Sequence, residues 1–462
     1  MNPPNLRIFE ERTVADILDT ITTWAAGLSY EDLPAEVRER AAFALSDTIA
    51  TMVGGAPTES AAIALDYAAV AAGPAPLVTR GTSTTPASAA FANGVAASAL
   101  DFDDGHYLAG AIHPGSVVVP GMLAVADGST TVAQALVAQV VGYEIGLRAA
   151  ALLWPKHDGD HYHATGCAGA IGSAAAAAKL LGLDADGIAR AIKIAWVHAP
   201  MSTFNTPMVK ESIGWGASTG VAAAELARAG WMKVPAGYAI PSNEVLPPSP
   251  FHQPGAAEDP FVTSIGTTYE VMNTYFKSFG ACRYTHAAGA GFAELLAEHG
   301  LKADDIASVR VGTHQAATFL DEVAPQTIET AQYSFPLVLG ALALWGEVGA
   351  PEMAASSLDD PERLAFAAKV RLEHDADLDQ HYPARYPSRV EVTTTDGRSV
   401  SGVYLDAPGD PGSSFGPDEM KAKWIRLLTP ALGESGTASV LAGIADPTAS
   451  LTSVLGPVWA SR

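Results

Sequence analysis

Arg389-Val390-Glu391-Val392-Thr393-Thr394-Thr395-Asp396-Gly397-Arg398-Ser399-Val400-Ser401-Gly402-Val403-Tyr404-Leu405 decides the fold class. Two runs rich in Val, Thr and Ser flank Thr395-Asp396-Gly397-Arg398, and the whole reads as a β-hairpin with that turn. Strands are also expected at Ile306–Val311 and Thr267–Phe276, and a helix at about Tyr333–Trp345. Outside this mixed region the chain reads as helix. Ile17, Leu18, Ile21 and Trp24 share one helical face; Val37, Ala41, Leu45, Ile49 and Met52 share another, behind Pro34. Ser173–Leu181 and Ala217–Ala229 are Ala-rich, which implies helices packed closely enough for small side chains. Helical segments return from about Pro417 onward.

Two punctuated stretches separate these textures. Pro235, Pro241, Pro247, Pro248, Pro250, Pro254 and Pro260 interrupt Val234–Phe261, and Ala407-Pro408-Gly409-Asp410-Pro411-Gly412 forms the second break. A chain of 462 residues is long for one core. The expected fold is therefore mostly α: a large all-helical domain formed by both chain ends, with an inserted smaller α+β lid domain. The boundaries implied are 1–267, completed by 411–462, and 268–410.

Hydrophobic residues make up 48% of the sequence, ample for a sizeable interior. No apolar run of about eighteen residues is free of polar interruption, so no transmembrane helix is expected. The first residues lack the apolar core of a signal peptide, and a soluble cytoplasmic protein is the default. A net charge of −23 argues against nucleic acid and against anionic membrane surfaces as partners. An anionic substrate would then need a local cationic cluster. Cys167 and Cys282 form no CxxC pair, which disfavours a disulfide scaffold, a cysteine zinc site or an iron–sulfur cluster.

Chemistry concentrates in Asp101-Phe102-Asp103-Asp104-Gly105-His106 and Ile112-His113-Pro114-Gly115-Ser116. Charge this dense must be solvated, paired or used. A solvated loop or helix cap is the ordinary reading, but the apolar flanks Ala96–Leu100 and Val117–Ala126 favour one wall of an active site that moves protons on a small polycarboxylate. In His157-Asp158-Gly159-Asp160-His161-Tyr162-His163 the ligand types suit zinc or manganese. The spacing matches no metal motif, however, and a single catalytic or substrate-binding histidine, His163, is preferred; no metal is expected. Gly166-Cys167-Ala168-Gly169-Ala170-Ile171-Gly172 has the wrong spacing for a nucleotide loop and reads as close helix packing. Lys210 is either an exposed partner of Glu211 or a site residue. Lys277, Arg283 and His286 read as an anion clamp in so acidic a chain. Tyr333–Trp345 reads as core.

Together these residues resemble the MmgE/PrpD family over nearly the whole chain. The specific parts are Asp101-Phe102-Asp103-Asp104 with His113-Pro114-Gly115, His163 before the Gly/Ala-rich helix, and Lys277 leading into Cys282-Arg283-Tyr284-Thr285-His286. Ser334-Phe335-Pro336, the Thr395–Arg398 turn and the Pro-Gly junction also fit. The resemblance implies the same helical domain and α+β lid, usually as a homodimer, in a cofactor-independent enzyme acting on small di- or tricarboxylates. The family includes 2-methylcitrate dehydratase, cis-aconitate decarboxylase and iminodisuccinate epimerase. Its active-site residues in the decarboxylase branch fall on Asp101, His113, His163, Lys210 and Lys277, with His106, Arg283 and His286 expected to bind substrate. The sequence departs from that branch in a longer segment between Asp104 and His113. It departs again where His314, Gln315 or Ala316 stands in place of a tyrosine.

All three activities make or quench a carbanion beside a carboxylate, which calls for preorganised cations and hydrogen-bond donors. Lys277 and Lys210, with His113 or His163, are the candidates, and Asp101 is expected to orient His113 or a lysine. The expected activity is a cofactor-independent lyase dehydrating a small tricarboxylate of the 2-methylcitrate type. The alternatives are an iminodisuccinate epimerase, a cis-aconitate-type decarboxylase and, in another class, a non-catalytic carboxylate-binding protein.

Overall fold

The computed structural model describes residues 12–107, 112–153, 164–200, 209–231, 259–413 and 415–460. Helices Arg12–Gly27, Ala35–Gly55, Glu59–Ala68, Pro86–Ser98, Pro114–Leu123, Val132–Leu153, Ala164–Leu180, Ala185–Val197 and Val209–Arg228 fill the first half. Local chemistry sets several starts. The Thr85 hydroxyl accepts the Ser88 amide at 3.3 Å with Pro86 in the first turn, and the Asp184 carboxylate accepts the Gly187 amide at 2.8 Å.

Ala164–Leu180 is buried from Thr165 to Ala178 and sits at the centre of the helical core. Its glycines are contact points: a Cβ on Gly169 would lie 3.0 Å from Val117, and one on Gly172 2.7 Å from the Gly142 carbonyl. Gly166–Gly172 thus lies inside a helix and lets neighbouring backbones approach. Val132–Leu153 is long and apolar enough to cross a membrane, yet 94% of its most apolar window is buried in the fold. It also carries the fully buried pair Glu144–Arg148, 2.9 Å apart, and is a core helix.

That pair corrects one expectation. Thr267–Phe276 is not a strand: Glu270–Asn273 forms a 3-10 turn, and Tyr275 meets Gly105 in an isolated bridge. Glu144 accepts the Val271 amide at 3.1 Å, Arg148 donates to the Thr268 carbonyl at 3.0 Å, and Phe276 N–H donates to the Gly409 carbonyl at 3.0 Å. Tertiary partners satisfy this backbone, so its β-favouring side chains do not decide its conformation.

The later residues build one four-stranded sheet in the order Val370–His374, Ile306–Thr313, Ser388–Thr394, Ser399–Tyr404. The last two form the expected hairpin, with Val390 opposite Gly402, Thr393 opposite Ser399, and Gly397 in the turn at φ 89°. Val370–His374, which the sequence did not reveal, pairs parallel to Ile306–Thr313. Phe292, Leu295, Phe335 and Leu339 from helices His286–His299 and Phe335–Trp345 pack on Val309, Val311, Val390 and Val392. Ser334 caps the second of these helices by accepting the Leu337 amide at 3.0 Å.

The helix Pro417–Ile444 returns to the first core, where Met420, Trp424, Leu427 and Leu428 join residues of the N-terminal helices. Val271 and Phe276 belong to that same core, whereas Phe279 packs with Val338 and Ala341 in another cluster. Where the chain passes between them, Arg283 holds the two crossings together. It donates to the carbonyls of Phe276 at 3.5 Å and Pro408 at 3.2 Å and pairs with Asp410.

Candidate active site

The loop between helices Pro86–Ser98 and Pro114–Leu123 carries Asp101, Asp103 and Asp104, all buried. Asp101 has φ 48°, in the left-handed region that aspartate tolerates better than most residues. In this conformation Lys277 Nζ reaches both its carboxylate, at 2.6 Å, and its carbonyl, at 3.0 Å. The next carbonyl, of Phe102, accepts from Lys423 Nζ at 2.8 Å, and that of Asp104 accepts from His113 Nδ1 at 2.9 Å. Two lysines from distant parts of the chain and the histidine at the end of the loop thus each hold one carbonyl of it.

His113 Nδ1 also lies 3.3 Å from Asp103 Oδ2. Carbonyl and carboxylate only accept, so Nδ1 carries a proton. Burial pulls the imidazole's pKa down, but the Asp103 carboxylate outweighs it and the net shift is upward. For Asp103, burial acts upward; His113, Lys277 at 4.0 Å and the Ser116 hydroxyl at 2.6 Å prevail and hold it well below the usual carboxylate range. Its neighbour Asp104 accepts from the Tyr143 hydroxyl at 2.6 Å and the Gly115 amide at 2.8 Å. Burial pushes Asp104 up to about 7, against the pull of the Tyr143 hydrogen bond. Adjacent carboxylates are thereby driven apart, one kept ionised and one poised to hold a proton near neutral pH.

Two carboxylate oxygens in this cluster, Asp101 Oδ2 and Asp103 Oδ1, are buried without a hydrogen-bond partner among the described residues. Such acceptors are costly unless a ligand donates to them. Asp101, Asp103 and His113 also bring potential metal-ligand atoms within 4.8 Å of one another. The Lys277 ammonium already rests against both carboxylates, and a divalent ion there would meet it at close range. The donor set fits a cluster neutralised by its own lysine better than a metal centre.

The structure therefore brings together Asp101, His113 and Lys277. His106 stands nearby with its ring 3.2 Å from Glu270, and its amide pairs with the Ile112 carbonyl. Arg283 is engaged by Tyr107, Asp410 and two carbonyls, and His286 is fully buried, stacked on Phe279 with ring centroids 3.8 Å apart. Burial pushes the His286 pKa well below its ordinary value. His163 lies outside the described residues. Lys210 lies in the first turn of Val209–Arg228, its side chain outside the description. Of the residues standing in place of a tyrosine, His314 is buried and stacks on Tyr382 at 4.5 Å, with neither ring nitrogen hydrogen-bonded among the described residues; burial takes its pKa to about 4.

Sequence reasoning did not single out Asp47, Tyr143 or Lys423. A signal was available for two of them: Asp47 interrupts the apolar stripe of Ala35–Gly55, and Lys423 interrupts that of the C-terminal helix.

The sequence matches the MmgE/PrpD N-terminal domain over residues 19–236 and the MmgE/PrpD C-terminal domain over residues 279–442. Cis-aconitate decarboxylase of Homo sapiens is 28% identical over 412 residues, covering 83% of this chain and 82% of that protein. Cis-aconitate decarboxylase of Aspergillus terreus (strain NIH 2624 / FGSC A1156) is 24% identical over 413 residues, covering 82% and 83%.

Proposed function

This chain belongs to the MmgE/PrpD family, and from that premise we propose that it is a cofactor-independent lyase dehydrating a small tricarboxylate of the 2-methylcitrate type. The observation that carries the reading is the pair of oxygens without a hydrogen-bond partner among the described residues, Asp101 Oδ2 and Asp103 Oδ1, beside the Lys277 ammonium and the His113 imidazole. A hydroxy-tricarboxylate supplies what this arrangement lacks: a hydroxyl donates to an orphan carboxylate oxygen, and a carboxylate meets Lys277.

Removing a proton beside a carboxylate places a second negative charge on an anionic group. Lys277, fixed by the two hydrogen bonds it donates to Asp101, stabilises that charge without having to reorganise. His113, whose proton affinity Asp103 raises, gives a proton to the departing hydroxyl, which leaves as water while the carbon–carbon double bond forms. With His113 as the acid, the base that takes the carbon-bound proton is in this reading a second histidine, His163, which the family resemblance places among the site residues, with Lys210 as a second cation. Closure of the α+β portion over the substrate excludes water and strengthens each of these contacts.

A second reading is decarboxylation of a cis-aconitate-type substrate, favoured by the names of the relatives above. There the electrons of the broken carbon–carbon bond remain on the substrate, carbon dioxide leaves, and His113 protonates the carbanion. An NMR assay in D₂O after chelation, with 2-methylcitrate, citrate, cis-aconitate and iminodisuccinate, tests both. Alkene from a hydroxy-tricarboxylate supports the dehydratase; carbon dioxide from cis-aconitate supports the second reading; loss of configuration in iminodisuccinate without alkene makes the protein an epimerase.

A further inference from the structure

Lys423 lies on the C-terminal helix Pro417–Ile444 and is 3% exposed. Its ammonium donates to the Phe102 carbonyl at 2.8 Å, pairs with Asp47 at 2.7 Å, and sits 4.2 Å from the centroid of the Phe102 ring. Asp47 is fully buried and also accepts from Trp424 Nε1 at 3.1 Å. Phe102 is the residue between Asp101 and Asp103, so this contact grips the loop midway between the two carboxylates of the candidate site. A buried lysine–aspartate pair is a poor way to stabilise a fold, because desolvation offsets most of the attraction. Its placement calls for another role.

We infer that Lys423 is a positioning residue for this site: it fixes the Phe102 carbonyl and with it the separation of Asp101 and Asp103 around Lys277. Lys277 holds the carbonyl before it and His113 the carbonyl of Asp104. Without Lys423 the middle of the loop has a buried carbonyl with no donor among the described residues, and the loop must shift to find one. The carboxylates that orient Lys277 and His113 move with it. Asp47 is the counter-charge that lets the ammonium remain buried.

The inference rests on the proposed lyase reading only for its turnover assay. Lys423→Met alone strands the Asp47 carboxylate and is expected to lose stability. The decisive variant is Lys423→Met with Asp47→Asn, which removes both charges together. A purely structural pair predicts that thermal stability and activity recover together in the double variant. The positioning role predicts that the melting temperature recovers while kcat stays down by about 10- to 100-fold with little change in KM, as for a small misplacement of catalytic groups. Hydrogen–deuterium exchange gives a readout that needs no substrate. The amides of Gly105 and His106, which donate to the Tyr275 and Ile112 carbonyls, are expected to exchange about tenfold faster in the double variant while core amides keep their rates. Recovery of kcat together with stability, or unchanged exchange at Gly105 and His106, overturns the inference. If the wild-type protein turns over no substrate, the lyase reading fails and the exchange measurement alone decides this one.

Discussion

Lys277 binds Asp101 twice, at the carboxylate (2.6 Å) and at the carbonyl (3.0 Å) of the same residue. That chelation is possible because Asp101 adopts a left-handed conformation, and it leaves the second carboxylate oxygen without a hydrogen-bond partner among the described residues. The lysine is thus pre-oriented by protein, with Asp103 Oδ1 a further 4.0 Å neighbour. Lys277→Ala is expected to lower kcat by about 10²–10³-fold, as removal of an oxyanion donor does. Steady-state kinetics on the folded variant checks this; an unchanged kcat removes Lys277 from the reaction.

Asp103 raises the His113 pKa against the effect of burial. Asp103→Asn leaves burial to act, so the His113 pKa falls and the proton donor is lost at lower pH. The high-pH limb of kcat/KM should move down by about 1–3 pH units, the range expected for loss of a close opposite charge. A profile that stays in place would show that His113 is not the group titrating there.

Asp104 couples the site to stability. Its folded pKa, about 7, lies above its ordinary value of 3.8. The stability it contributes is therefore fully present below 3.8 and lost as pH rises through about 7. Glu144, raised from 4.5 to about 7 mainly by burial, behaves the same way. Asp104→Asn should flatten the decline of melting temperature between pH 4 and 7 without abolishing it, since Glu144 remains. Calorimetry across that range is the check, and an unaltered slope would place the titration elsewhere.

Gly115 has no room for a side chain: a Cβ would lie 2.5 Å from Thr48 Oγ1, 2.6 Å from Asp104 Oδ1 and 2.8 Å from the Tyr143 hydroxyl. Gly115→Ala is expected to destabilise the protein by about 1–3 kcal/mol, as overpacking does. Urea denaturation measures it.

Arg283 was expected to bind substrate, and the structure ties it to Asp410, Tyr107 and the crossing backbones. Arg283→Met strands a buried carboxylate and should cost about 3–5 kcal/mol. A raised KM with stability intact would instead return Arg283 to the substrate.

What could be read from the sequence followed from local chemistry. The hairpin carried its own turn, Ser334-Phe335-Pro336 its own cap, and the glycines of Ala164–Leu180 their packing role. Asp101 and His113 could be grouped because charge in apolar surroundings must be paired or used, and Lys277 joined them through the family resemblance. Long-range partners decided the rest. Val370–His374, only partly apolar, becomes a strand by pairing with Ile306–Thr313, and Thr267–Phe276 loses strand form to Glu144, Arg148, Gly105 and Gly409. Asp47 and Lys423 looked like single charges on two helices until folding placed them 2.7 Å apart beneath Phe102.

The most direct test of the central claim is proton NMR of the chelated wild-type protein and Lys277→Ala, each with 2-methylcitrate in D₂O. The predicted result is an alkene tricarboxylate and water from the wild type, with turnover reduced by about 10²–10³-fold in the variant. No alkene from the wild type, or equal turnover by both proteins, would contradict it.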